Sequence, residues 1–179
     1  MNSKLLGIYL NDHSAGSVTG AELAKRARDN NEGTELGTFL AGIADEIESD
    51  REALAAIMDS LDVTPDPVKR SVAWAAEKVG RFKPNGQLGG YSPLSRLIEL
   101  EGLMLGVSGK LGLWRALIAC RVEVPAGIDL QSLAASAERQ RDELEAWRLR
   151  AAQEAFSAGP VGAAGAASMG TDTAGRPGS

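Results

Sequence analysis

One cysteine, one histidine and a 4% share of aromatic residues are all the thiol, imidazole and ring chemistry that this 179-residue chain holds. Each shortage excludes something. A lone Cys120 cannot close an internal disulfide, and within the apolar stretch Leu117-Ile118-Ala119-Cys120 it reads as a small core residue in a reducing compartment. With His13 as the sole imidazole, any site that needs two histidines is impossible. Long apolar runs are missing too. The run Leu5-Leu6-Gly7-Ile8-Tyr9-Leu10 is too short for a secretory signal, and the stretch from Gly102 to Gly109 is closed by Glu101 and Lys110. Roughly 20 apolar residues are needed to span a bilayer, so the expectation is a cytoplasmic protein with no membrane partner. No block of one charge occurs either. The 19 basic and 24 acidic side chains are interspersed and leave a net charge of -5, which argues against a nucleic-acid partner. The densest basic group, Lys25, Arg26 and Arg28, ends a helical stretch, where cations complement the helix dipole.

What the chain does have is Ala, Leu, Glu and Arg at helical spacing, with few β-branched residues to favour strands. A first helix is expected from Ser3 to Asn30, ended by Asn31-Glu32-Gly33. Thr34 caps a second to about Asp62, with Leu36, Leu40, Ile43, Ile47, Leu54, Ile57, Met58 and Leu61 on one face. Asp66-Pro67 opens a shorter helix to about Phe82, and Ser92-Pro93 starts a long one to about Arg121, apolar on nearly every side and therefore expected at the centre. Asp129 caps the last, to about Phe156, with Leu130, Leu133, Ala137, Leu144, Trp147 and Ala151 as its stripe. Beyond Ser157 the Gly/Ala-rich chain lacks the large apolar side chains that ordering requires.

The expected fold class is therefore all-α: an antiparallel four-helix bundle over residues 1–156, with the short Pro67–Phe82 helix as a crossover and a disordered tail over 157–179. A five-helix array is the rival arrangement. Gly16 and Gly20 share one side of the first helix, and Gly102, Gly106 and Gly109 one side of the fourth segment. Small residues at that spacing predict close helix approach.

The segments Tyr9-Leu10-Asn11-Asp12-His13, Trp74-Ala75-Ala76-Glu77-Lys78 and Tyr91-Ser92-Pro93-Leu94-Ser95-Arg96 resemble an uncharacterised family of bacterial helical-bundle proteins, over the chain to about Phe156. More distantly, the layout is similar to the ferritin-like superfamily. That resemblance implies a helical bundle, and in its di-iron members a Glu from each of two helices and a Glu-x-x-His from each of the other two. This chain departs from the ligand pattern: Glu46 is followed three residues later by Ser49 and Glu138 by Arg141, while Glu22 and Glu138 fall outside the apolar faces of their helices. No metal ligands, cofactor or catalytic residues are assigned.

One polar pair points inward. If the first two helices form a hairpin turning near Glu32, His13 and Asp50 lie at one level, and a His–Asp contact would fix the imidazole tautomer and hold helix register. Gln140 is a further polar intruder on an apolar stripe, and Trp74, Trp114 and Trp147 read as core-edge residues. The Asn85-Gly86-Gln87-Leu88-Gly89-Gly90 loop follows a helix and lacks a Gly-Lys-Ser/Thr ending, so it reads as a turn and not a phosphate loop. Three functions remain. The first is a non-catalytic bundle acting through protein contacts, with a homodimer among the options. The second is a degenerate or unconventional ferritin-like metal-binding protein or oxidoreductase. The third is a module for a small apolar ligand between the helices, where Gly and Ala leave room.

Overall fold

The computed structural model describes residues 2–65 and 91–157. The expected Pro67–Phe82 crossover helix, with Trp74, and the tail beyond Ser157 lie outside the described residues. Within them the protein is helical with no strand: α1 is Ser3–Asn30, α2 Glu35–Ser60, α3 Pro93–Ala119 and α4 Leu130–Ser157. No helix among the described residues is long and apolar enough to cross a membrane.

Local chemistry sets the boundaries. Asn2 Oδ1 accepts from Leu5 N, Thr34 Oγ1 from Gly37 N and Ser92 Oγ from Ser95 N, each satisfying a free amide in a first turn. Pro93 follows its cap at the first helical position, where no amide hydrogen is needed. Asp129 accepts from Gln131 N and the Ser132 hydroxyl at the entry to α4, and those bonds hold its carboxyl below the ordinary range. The ends of α2 and α3 share one device. Asp62 and Arg121 adopt positive φ of 54° and 50°, which lets Val63 N reach Met58 O and Val122 N reach Leu117 O across the last turn.

The core is a continuous cluster drawn from all four helices, including Leu10, Leu40, Ile57, Leu100, Leu113 and Leu144. Helix α1 packs on α2 and α3, α3 also on α4, and α4 more thinly on α2. The thin side is held by a stack of Phe39 on Trp147, ring centroids 5.9 Å apart, and by polar bridges described below. The position of α3 differs from the sequence expectation: Leu105 on its outer side is 67% exposed, so its all-round apolarity does not mean burial on all sides. Cys120 is a correction as well. Helix α3 stops at Ala119, so Cys120 caps its end and is exposed, not a core residue.

Gly37 shows what the tight turn between α1 and α2 demands. A Cβ at this position would run into the backbone carbonyl of Asn31, so only glycine lets α2 start so close to the end of α1.

Candidate functional site

Helices α1 and α3 touch at one end and part toward the other. Near the contact, a Cβ on Gly102 would lie 2.9 Å from Leu23 Cδ2, as expected for helices packed through a small residue. Further along, Gly16 and Gly20 of α1 and Gly106 and Gly109 of α3 would place their Cβ atoms in open space, with nothing within 4 Å. The glycine faces therefore do oppose each other, but across a gap and not in contact. Together with α2 they line a cleft of about 760 Å³. Tyr9, Asp12, His13 and Ser17 also come from α1; Ile47, Asp50, Arg51 and Leu54 from α2; Leu103, Leu105, Val107, Lys110, Leu113 and Trp114 from α3.

Both members of the expected polar pair are on this wall, but they are not bonded to each other. Asp50 is buried and is bound by the Lys110 ammonium. His13 is half-buried with its ring edge-on to Tyr9, centroids 4.6 Å apart. Burial holds the His13 imidazole below its ordinary value, opposed by the charge of Asp12. His13 shares the inward side of α1 with Leu10 and Ala24, but at its level that side looks into the cleft, and Asp50 is already bound by Lys110.

Lys110 continues the polar contact into the bundle. Its Nζ also donates to Gln140 Oε1 at 2.6 Å, and Gln140 Nε2 donates to Glu46 Oε2 at 2.6 Å, where Arg139 also donates at 2.8 Å. One chain of charged and amide groups thus links α3, α4 and α2, and it satisfies the fully buried Gln140. Burial pushes the Asp50 carboxyl above its ordinary range, with the Lys110 ammonium pulling the other way. Lys110 was not singled out by sequence, where it marked the end of an apolar stretch. The signal was present: Lys110 lies three residues past Val107 and four before Trp114, on the buried stripe of α3.

Two donors on the wall are left over. The Trp114 side chain is 1% exposed, deeper than the core-edge position expected, and its Nε1–H has no acceptor among the described residues. Arg51 gives its Nη1–H to both oxygens of Glu48, yet its Nε is buried with no acceptor among the described residues. A buried donor without an acceptor costs on the order of 1–3 kcal/mol, so two on one wall are notable.

The opposite end of α3 is closed. Glu99, also buried, accepts from Arg26 Nε at 3.1 Å, Asn30 Nδ2 at 3.0 Å and the Tyr91 hydroxyl at 3.0 Å. Asn31 donates to Tyr91 Oη at 2.8 Å and accepts from Arg96 Nε at 3.0 Å. Burial and the Glu99 charge raise the Tyr91 hydroxyl to about 12 despite the pull of Asn31. Sequence reading missed this cluster, because Glu99 looks like any acidic residue of an exposed turn.

Among the described residues the cleft offers no complete catalytic set. Ser17 donates its hydroxyl to Ser14 O at 2.7 Å and not to His13, and the Lys110 amine is engaged on both sides. Among the described residues no three His, Cys, Asp or Glu side chains are placed to share a metal ion. Glu22 is exposed, and Glu138 is bound to Arg115 away from the cleft. Comparison with family models, curated proteins and solved structures found no match to this chain.

Proposed function

We propose that this chain is a binding module that holds one small, largely apolar molecule in the cleft between α1, α2 and α3. The observation that carries the reading is the open space over Gly16, Gly20, Gly106 and Gly109. Four glycines within helices weaken them by roughly 0.5–1 kcal/mol each relative to alanine, a cost that close packing does not explain at these positions. The cleft volume falls within the range of about 300–1,000 Å³ usual for small-molecule sites. Leu105 at its edge adds exposed apolar surface of the kind that marks such sites. The architecture we propose around it is an antiparallel, ferritin-like bundle. Its support is that Gly7 near the start of α1 lies by Val63 after α2, while Arg26 near the end of α1 lies by Glu99 near the start of α3.

Titration with the fluorescent apolar dye anilinonaphthalene sulfonate tests this reading. One saturable site is expected in the wild type, lost in Gly106→Phe, which fills the cleft. Equal uptake by both proteins, or none by either, contradicts it.

Action through protein contacts is a second reading, favoured by Leu5 and Ile8 on α1, which are 61% and 52% exposed. Here a second copy of the chain is the proposed partner. Light scattering coupled to size exclusion should then report a dimer that Leu5→Glu with Ile8→Glu dissociates; a wild-type monomer at every concentration removes this reading. The metal-dependent alternative has less support, since its ligands would have to come from fewer than three such side chains at any one described point. Elemental analysis of protein purified without added metal checks it.

A further inference from the structure

The cleft wall is polar at two places, Asp12, His13 and Ser17 on α1 and a group on α2 and α3, and the second has a chemical bias. Trp114 and Arg51 both line it, and each carries a buried N–H for which the described residues provide no acceptor. They lie close in the fold: Asp50 next to Arg51 is bound to Lys110, and Lys110 is one turn before Trp114. A donor can be satisfied only by an acceptor, so an alkylammonium or an all-hydrocarbon molecule leaves both groups as they are. One of the two donors belongs to a guanidinium that Glu48 engages through Nη1 alone, and a guanidinium N–H makes its strongest hydrogen bond to an anionic acceptor. Carboxylate is the simplest group with two oxygens to take both protons. Lys110 does not compete for it, since Asp50 and Gln140 already bind its ammonium.

We infer that the ligand is a monocarboxylic acid with an apolar body, its carboxylate bridging the Trp114 Nε1–H and the Arg51 Nε–H while its body lies over the glycine faces of α1 and α3. This rests on the cleft being a small-molecule site. It specifies which molecules enter and which way round. The acid end sits at the α2–α3 side, against Trp114 and Arg51, and the tail runs between Gly16 and Gly106 toward Leu105.

Nitrogen-15 spectra of the full chain, titrated with dodecanoate, dodecanol and dodecylamine below their aggregation concentrations, test the inference. Dodecanoate is expected to bind at least tenfold more tightly than either other probe and to move one indole proton signal downfield. Trp114→Phe identifies that signal as its own by removing it. Arg51→Met, which keeps the apolar stem, should weaken dodecanoate about tenfold and leave dodecanol unchanged, as loss of one hydrogen bond to a charged group requires. Should Trp114→Phe not fold, Arg51→Met and the wild-type indole shift still decide. Equal binding of dodecanol or dodecylamine, or dodecanoate binding with no indole shift, overturns the head-group assignment while leaving the cleft a binding site. Binding of none of the three overturns both.

Discussion

Around Glu99, where α1 ends and α3 begins, four polar side chains from two helices and the segment before α3 close on one carboxylate and one amide, and their donors find acceptors. Around Trp114, four turns further along α3, the cleft between α1, α2 and α3 holds two buried donors with no acceptor among the described residues and glycines with nothing against them. The chain can therefore satisfy its buried polar groups where it needs only to be stable. The contrast is what motivates the proposed binding role of the open end, because an unsatisfied donor and an interior-helix glycine are both destabilising.

The comparison can be broken most forcefully with one substitution applied at both ends. Gly37→Ala at the closed end drives a Cβ into the Asn31 carbonyl and should cost about 3 kcal/mol or more, since backbone and not a flexible side chain must move. Chemical denaturation measures it. A loss of similar size, about 3 kcal/mol, is expected from Lys110→Met, which leaves the buried Asp50 carboxylate without its cation. Adding Asp50→Asn to Lys110→Met should recover most of that loss, because no buried charge remains; if the double variant is no more stable than the single, Lys110 is not the group that compensates Asp50. At the open end, Gly106→Ala and Gly109→Ala should each raise stability by about 0.5–1 kcal/mol, read as a higher thermal midpoint, whereas Gly102→Ala should gain less because Leu23 has to give way.

The smallest effect concerns pH. Burial depresses the His13 imidazole relative to its ordinary value of 6.5, so the unfolded chain takes up this proton at a higher pH than the folded one. Stability should accordingly be full above about 6.5 and decline as pH falls from there toward the folded-state value. His13→Asn should flatten that part of the urea-midpoint profile. An unchanged slope would mean that His13 is as solvated in the folded chain as in the unfolded one.

Much of the fold was legible because helix ends carry local chemistry. Asn31-Glu32-Gly33, Thr34, Ser92-Pro93 and Asp129 mark boundaries that the helices keep to within a residue or two. The site was half legible. Asp50 stands out at the flank of one apolar stripe and Gln140 within another, and both side chains are buried. Their partner was hidden because Lys110 sits on α3, an apolar helix whose inward side cannot be told from its outward side by periodicity alone. His13 does fall on the inward side of α1, but spacing along a helix does not show that a cleft opens at its level or that Lys110 of α3 reaches Asp50 first. The glycines were legible as a face, but composition does not say whether a small residue admits a neighbour or leaves a space. The cluster around Glu99 depends on Tyr91, Arg26 and Asn30, which meet only once the chain is folded.

The central claim is that the space between α1, α2 and α3 exists to be occupied by a small molecule. Native mass spectrometry of freshly expressed, gently purified full-length chain tests it most directly, beside the Gly106→Phe variant prepared in the same way. The account predicts a one-to-one adduct on the wild type that organic extraction removes and the variant never carries. An adduct of the same mass and occupancy on both proteins, or the bare chain in both even after incubation with dodecanoate, would contradict it.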